Sequence, residues 1–279
     1  MLKIGQYNRL KINRLANFGA YLEAGDGIEI LIPSKYLNGI PSVGDELDVF
    51  VYTDSEDRLI ATTETPNIQV GKFAFLTVKD VHQRVGAFLD WGLTAKDLLC
   101  PFNEQRARMC VGGTYCVYAY LDDATKRVVA SSKIEKYLGN IYPDYNIRQQ
   151  VEALIIKLTD IGYQTIVNNA HFGMIYKDEL INELAIGETV SAFVKKVRDD
   201  GKLDLTLKDT NGQRAHSIAD LILEKMKLNN GMITITDKSS PENIARVFGC
   251  SKKDFKKAVG YLYKERKIAI SATNLTLCK

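Results

Sequence analysis

The residues able to do acid–base or metal chemistry are few and scattered. The three histidines, His82, His171 and His216, fall in three different regions of a 279-residue chain, so no ligand set with zinc-like spacing forms from them. The five cysteines, Cys100, Cys110, Cys116, Cys250 and Cys278, contain no pair with the two-residue spacing of a zinc site. An odd, scattered set also does not read as a disulfide framework. Cys116 sits in an apolar run, where a free buried thiol is the expected state. Asp199, Asp200 and Asp204 could collect a cation, but Asp200-Gly201 between two alternating runs is a hairpin turn that explains them without a metal. Walker-type glycine loops and nucleophile elbows are absent. Glu64 and Asp90 are isolated, where a nuclease would converge several carboxylates on a metal. The chain therefore reads as a non-enzyme without cofactor or metal. What remains is cationic: Lys252, Lys253, Lys256, Lys257 and Lys264 crowd into one short stretch. Most lysine runs only solvate a helix face, but this density suits sequence-independent, salt-sensitive phosphate contact.

Charge along the chain sharpens that reading. Residues 1–70 hold six basic against ten acidic residues, 71–149 eleven against eight, 150–211 seven against ten, and 212–279 thirteen against six. The C-terminal quarter is thus the best electrostatic candidate for meeting a polyanion. With 46% hydrophobic and 25% charged residues the composition is that of folded globular proteins. The opening MLKIGQYNRL lacks a signal-peptide apolar region, and no run of 18 uncharged apolar residues occurs. A cytoplasmic protein with no membrane and no small-molecule substrate is expected.

The elements that must position these groups repeat. Gly5-Gln6-Tyr7, Phe18-Gly19-Ala20-Tyr21-Leu22, Leu31-Ile32-Pro33, Val43-Gly44 leading into Leu47/Val49/Val51, and Leu59-Ile60-Ala61 form one series. It returns as Gly71-Lys72-Phe73, Val85-Gly86-Ala87-Phe88-Leu89, Leu99-Cys100-Pro101, Val111-Gly112 and Val128-Val129-Ala130, at offsets of 67 to 69 residues. A more diverged third copy runs through Ile161-Gly162-Tyr163, Ile186-Gly187 with Val190/Ala192/Val194, and Leu203-Asp204-Leu205. Period-two alternation predicts about five strands per copy. Strands that short are made safe by closure into a small barrel.

From Ser217 the period changes to 3.6. Ile218, Leu221, Ile222 and Met226 mark one helix; Ser240-Pro241-Glu242 opens a second that stops at Gly249. Ser251-Lys252-Lys253-Asp254 opens a third with Phe255, Ala258, Val259 and Leu262 as its buried stripe. Lys267–Ile270 and Leu275–Leu277 around Thr273-Asn274 read as a wing. This order predicts a winged helix. The fold class is therefore multidomain: three all-β five-stranded OB-fold barrels followed by an α+β winged-helix domain. The expected boundaries are 1–65, 66–142, 143–211 and 212–279.

Two resemblances make this specific. The glycine, F-G-A-aromatic and G-x-x-V-x-V series, and GETVSAFVKKVRDDGKLDLTL above all, resemble the RNA-binding domain of ribosomal protein S-one. DKSSPENIARVFGCSKKDFKKAVGYLYKERKIAI, with GAFLDWG and NNAHFGMIYKDEL, resembles the bacterial CvfB/YitL family over essentially the whole chain. That resemblance implies an RNA-binding regulator of gene expression in a virulence-regulator family. The S-one pattern also implies aromatic stacking residues at set positions, which here are Phe18, Tyr21 and Pro33; Val85, Phe88 and Pro101; and Ile161, Gln164 and Tyr176.

No copy keeps the full stacking set. Phe18 and Tyr21 share a face only if a bulge at Gly19 permits it, and the first unit is acidic. Phe88 and Trp91, with Lys79, Arg84 and Lys96 near them, are expected on a binding surface, against the reading that they pack between domains. Tyr176 with Lys195, Lys196 and Arg198, and nearby Tyr163 and His171, form the third candidate. The expected partner is RNA, single-stranded or structured. Two readings compete: a protein scaffold associated with the ribosome or RNA polymerase, and a DNA-binding regulator acting through the winged helix.

Overall fold

The structure is a computed structural model that describes residues 2–25, 27–37, 39–180, 182–207, 213–229, 231–271 and 273–278. The expected boundary between residues 211 and 212, and the side chain of His216, lie outside the described residues. Two compact units divide the chain, Met1–Leu205 and Thr206–Lys279.

The first unit holds the three expected barrels. Strands β1 (Gln6–Ala16), β2 (Gly19–Glu23), β3 (Glu29–Pro33), β4 (Glu46–Thr53) and β5 (Leu59–Thr62) close in the order β1-β2-β3-β5-β4. Next come β6 (Phe73–His82), β7 (Gly86–Leu89), β8 (Leu98–Pro101), β9 (Thr114–Leu121) and β10 (Val128–Ser131). They form a five-stranded sheet ordered β10-β9-β6-β7-β8, whose two outer strands lie side by side and nearly close it. The strands β11 (Gln150–Leu158), β12 (Gly162–Val167), β13 (His171–Tyr176), β14 (Thr189–Val197) and β15 (Leu203–Thr206) repeat the first order and close again.

The same crossing recurs in each copy. Gly19, Gly86 and Gly162 pair with Pro33, Pro101 and Tyr176. A Cβ on any of them would lie 2.1–2.2 Å from the carbonyl oxygen of Ile32, Cys100 or Ile175. No other residue lets the backbones approach that closely. The long first strand of each copy also breaks register at one place, between Ile12 and Arg14, Val78 and Asp80, and Ile155 and Lys157. Such a bulge bends the strand around its barrel. It sits on β1, not at Gly19 where the aromatic spacing had suggested it.

Alternation fills each barrel as expected, with Ala20, Leu22, Ile30, Ile32, Val49 and Val51 wholly buried in the first. On β4, however, Phe50 and Tyr52 point to the opposite face and are buried too. Their cover is Trp91 of the second barrel, 1% exposed, whose ring lies 5.6 Å from Phe50 and 5.9 Å from Tyr52. Its indole N–H donates to the Ile68 carbonyl at 2.9 Å. Trp91 is thus part of an interbarrel core that also contains Ile68, Leu76 and Met109, and its expected place on a binding surface is corrected. A large ring with one donor is best placed where area is buried and that donor finds a carbonyl.

The second unit contains α1 (Gln213–Leu228), β16 (Met232–Ile233), α2 (Pro241–Phe248), α3 (Lys252–Lys264), β17 (Ile268–Ile270) and β18 (Leu275–Leu277). Ser240 caps α2 by accepting the Asn243 N–H, and Gly249 ends it with φ 62°. Ser251 caps α3 by accepting the Asp254 N–H at 3.2 Å. Phe255, Ala258, Val259 and Leu262 pack with Ile222, Met226, Ile244 and Leu275 in one core. The wing strands β17 and β18 pair with each other, and β18 pairs with β16 on its other side, making a three-stranded sheet.

Candidate nucleic-acid interface

On the first barrel, Phe18 stands at the β1–β2 turn and Tyr21 on β2, so the tight crossing at Gly19 brings their side chains to one surface. Phe18 is 56% exposed and Tyr21 half-buried, with ring centroids 6.2 Å apart, edge to face. The β1 bulge places Arg14 directly across from Tyr21, and its guanidinium lies 3.6 Å from the Tyr21 ring centroid. Arg14 is held by Glu29, with N–H···O distances of 2.9 and 2.8 Å to one carboxylate oxygen. Asn13, the bulge residue, donates to the other oxygen at 2.7 Å. Hydrogen bonds from Arg14 and Asn13 keep the Glu29 carboxyl below the usual carboxylate range. Phe18, Tyr21, Leu31, Leu59 and Ile60 line a surface groove of about 520 Å³ together with the charged Glu29, Asp54 and Arg58. Arg58 is paired with Asp54 and Glu56. The groove therefore offers flat rings and apolar side chains, with Glu29 paired to Arg14 and Asp54 to Arg58, and no cation left open among its described residues, which suits a base more than a phosphate.

The second barrel departs from this at each position. Val85 replaces Phe18 and is exposed, and Phe88 replaces Tyr21 and is half-buried. Opposite Phe88 stands Asp80 where the first barrel has Arg14. Lys79 is engaged by Asp97 at 2.9 Å and Asp90 at 3.7 Å. The Lys96 amine turns inward to the carbonyl oxygens of Thr53 and Asp54, and burial holds its pKa down. Arg84 stays exposed. Of the cationic setting expected around Phe88, Lys79 is occupied by carboxylates of its own barrel and Lys96 by carbonyls of the first.

In the third barrel the candidates also part company. Tyr163 is 4% exposed and its hydroxyl accepts the Leu184 N–H. His171, 5% exposed, lies between the Tyr145 hydroxyl at 3.1 Å and the Ile141 carbonyl at 2.8 Å, pinning the segment before β11. Both are interior groups, so neither can present a ring to a base, contrary to expectation. Half-buried Tyr176 donates to Asp204 at 3.1 Å and accepts from Arg198 at 2.6 Å, while Arg198 Nε donates to Asp204 at 2.7 Å. Arg198 is thereby spent on Asp204 and not held open for a phosphate. Lys195 and Lys196 are exposed on β14, and as consecutive strand residues they point to opposite faces.

The winged-helix candidates stand together. Lys253, Lys256, Lys257 and Lys264 are exposed on α3 off its apolar stripe, and Lys252 is half-buried at the edge of that stripe. Asp237 is 4.0 Å from Lys256. Sequence reasoning missed Arg14, Leu31 and Ile60. The signal for Arg14 is pairing across a bulge, which single-residue patterns do not carry.

Residues 4–64 match the S1 domain family and residues 220–277 match the CvfB-like winged helix domain. The protein YitL of Bacillus subtilis strain 168, itself uncharacterised, is 27% identical over 275 residues, covering 96% of this chain and 91% of YitL. Conserved virulence factor B of Staphylococcus aureus strain USA300 is 27% identical over 285 residues, covering 99% and 94%. The chain is a homologue of YitL and conserved virulence factor B. Both matched domains are nucleic-acid-binding types and not catalytic ones. Among solved structures, a multidomain protein with nucleic acid binding domains from Streptococcus pneumoniae TIGR4 is 25% identical, over 99% of this chain and 98% of that one, with a TM-score of 0.41.

Proposed function

We propose that this chain is a non-catalytic, cytoplasmic RNA-binding protein that regulates gene expression at the level of RNA. The observation that carries the reading is the Phe18–Tyr21 ring pair beside Arg14, over a groove lined by apolar side chains and paired charges. Small β-barrels bind single strands by stacking bases on such rings, worth about 1–3 kcal/mol per base. The α3 lysines add phosphate contacts of the sequence-independent kind. Single-stranded RNA is held on the first barrel, and the winged helix grips backbone or a structured stem. The test is binding of the full chain to single-stranded RNA, duplex RNA and duplex DNA across a salt series. Salt-sensitive binding that favours RNA supports the reading; feeble, salt-insensitive binding to all three sinks it.

A second reading, a protein scaffold associated with ribosome or RNA polymerase, is favoured by the acidic balance of the first seventy residues and by exposed Ile40 and Val43. Partners that survive ribonuclease treatment in affinity purification would favour it.

A further inference from the structure

The α3 helix carries a glycine that its own fold does not require. Gly260 lies in the helix interior, where glycine is among the weakest helix formers. A Cβ built there meets nothing within 4 Å, and its φ is not among the positive values that favour glycine. Neither crowding nor backbone conformation explains it.

Its neighbours do offer an explanation. At about 100° per residue, the five lysines, Tyr263 and Gly260 fall within an arc of about 140°, opposite the stripe of Phe255, Ala258, Val259 and Leu262. Positions three and four away on a helix surround a residue on its surface. For Gly260 these are Lys256, Lys257, Tyr263 and Lys264, all exposed. The result is a bare patch of helix backbone walled by three ammonium-bearing stems and one phenol ring.

We infer that Gly260 is a seat for the phosphodiester backbone of a nucleic-acid strand, which lies against the helix there while Lys256, Lys257 and Lys264 reach its phosphates and Tyr263 packs beside a sugar or base. Flexible lysines could reach phosphates over any side chain, but they meet them at shorter range when the strand can settle onto backbone. This rests on the reading that the α3 lysines face nucleic acid, and adds where on α3 the strand sits.

The experiment uses the full chain with labelled RNA and DNA hairpins of one sequence, titrated at several salt concentrations. The variants are Gly260→Ala, Gly260→Gln, and Lys256→Gln/Lys257→Gln/Lys264→Gln together. Alanine and glutamine are better helix formers than glycine, so both single variants are expected to melt at or above the parent temperature. Gly260→Ala is expected to bind within about threefold of the parent. Gly260→Gln is expected to lose about tenfold or more, with a salt slope shallower by about two to three units, as for loss of three phosphate contacts. Loss confined to the RNA hairpin names RNA as the source of the strand, and loss confined to DNA names DNA. A Gly260→Gln protein with parental affinity and slope overturns the inference. If the triple lysine variant also binds as the parent does, the reading of α3 as an interface falls with it. If the triple variant alone weakens, only the seat at Gly260 falls. Should Gly260→Gln melt lower, amine acylation of the parent decides. The hairpin that the parent binds must shield Lys256, Lys257 and Lys264 but not exposed Lys238, and equal labelling of all four rejects the seat.

Discussion

The indole N–H of Trp91 donates to the carbonyl of Ile68 at 2.9 Å, and the ring it belongs to closes the outer face of Phe50 and Tyr52. The second barrel thus completes the core of the first. Trp91→Ala is expected to destabilise the first unit by about 3–5 kcal/mol, the range for deleting a large core ring. Urea unfolding followed by far-ultraviolet circular dichroism measures it. The folded fraction is expected to keep parental RNA affinity, and a selective affinity loss with unchanged stability would refute the keystone role.

Phe18 and Tyr21 carry the opposite expectation. Phe18→Ala and Tyr21→Ala should each weaken single-stranded RNA binding by about 1–3 kcal/mol. More than half of Phe18 is exposed, so its truncation should hardly change the melting temperature. Phe88→Ala, opposite Asp80, should weaken binding less than either. Fluorescence anisotropy with a short labelled oligonucleotide ranks the three.

Acid should loosen the first two barrels through Asp57. Its carboxylate pairs with Arg127, joining the β4–β5 turn to the β9–β10 turn, with one contact at 2.7 Å. The hydrogen bond from Arg127 holds the Asp57 pKa below its ordinary value. A depressed folded pKa contributes stability that is present above the unfolded pKa and lost as pH falls through the folded one. The loss therefore develops below about pH 4. Unfolding midpoints of the parent and Asp57→Asn, compared from pH 7 to pH 3, should converge as pH falls; a gap that stays constant would remove Asp57 as the source.

Cysteine reactivity should sort by burial. Desolvation pushes the thiols of Cys100 and Cys116 up to about 12, so neither offers thiolate near neutrality. Cys110 and Cys278 are exposed. Brief alkylation at pH 7.5 should label Cys110 and Cys278 and spare Cys100 and Cys116 until denaturant is added. Mass spectrometry of the peptides decides, and early labelling of Cys100 would contradict the packing.

The barrels and the winged helix were legible because their signals are local. Alternation in Leu47/Val49/Val51, the recurring glycine that opens β2, β7 and β12, and the Ser240 and Ser251 caps each act within a few residues. The site was less legible because it depends on neighbours in space. Trp91 reads as an exposed aromatic three residues beyond Phe88 until the partner barrel covers it. Arg198 reads as a free cation until the β14–β15 hairpin folds Asp204 onto it. Tyr163 and His171 read as surface rings until the chain between Ile141 and Tyr145, and the Leu184 segment, close over them.

The shared crossing at Gly19, Gly86 and Gly162 separates what holds a barrel together from what it displays. Because the backbones meet there without any side chain, the flanking positions differ while the crossing stays the same: Phe18 and Tyr21 in the first copy, Val85 and Phe88 in the second, Ile161 and Gln164 in the third. The three copies therefore differ in what their side chains do: the first displays the Phe18–Tyr21 ring pair, the second covers the first through Trp91, and the third ties down the preceding segment through His171. Grafting Phe and Tyr onto the latter two would not by itself reproduce the surface of the first, since Asp80 stands where the first has Arg14 and Tyr176 is tied to Arg198 and Asp204.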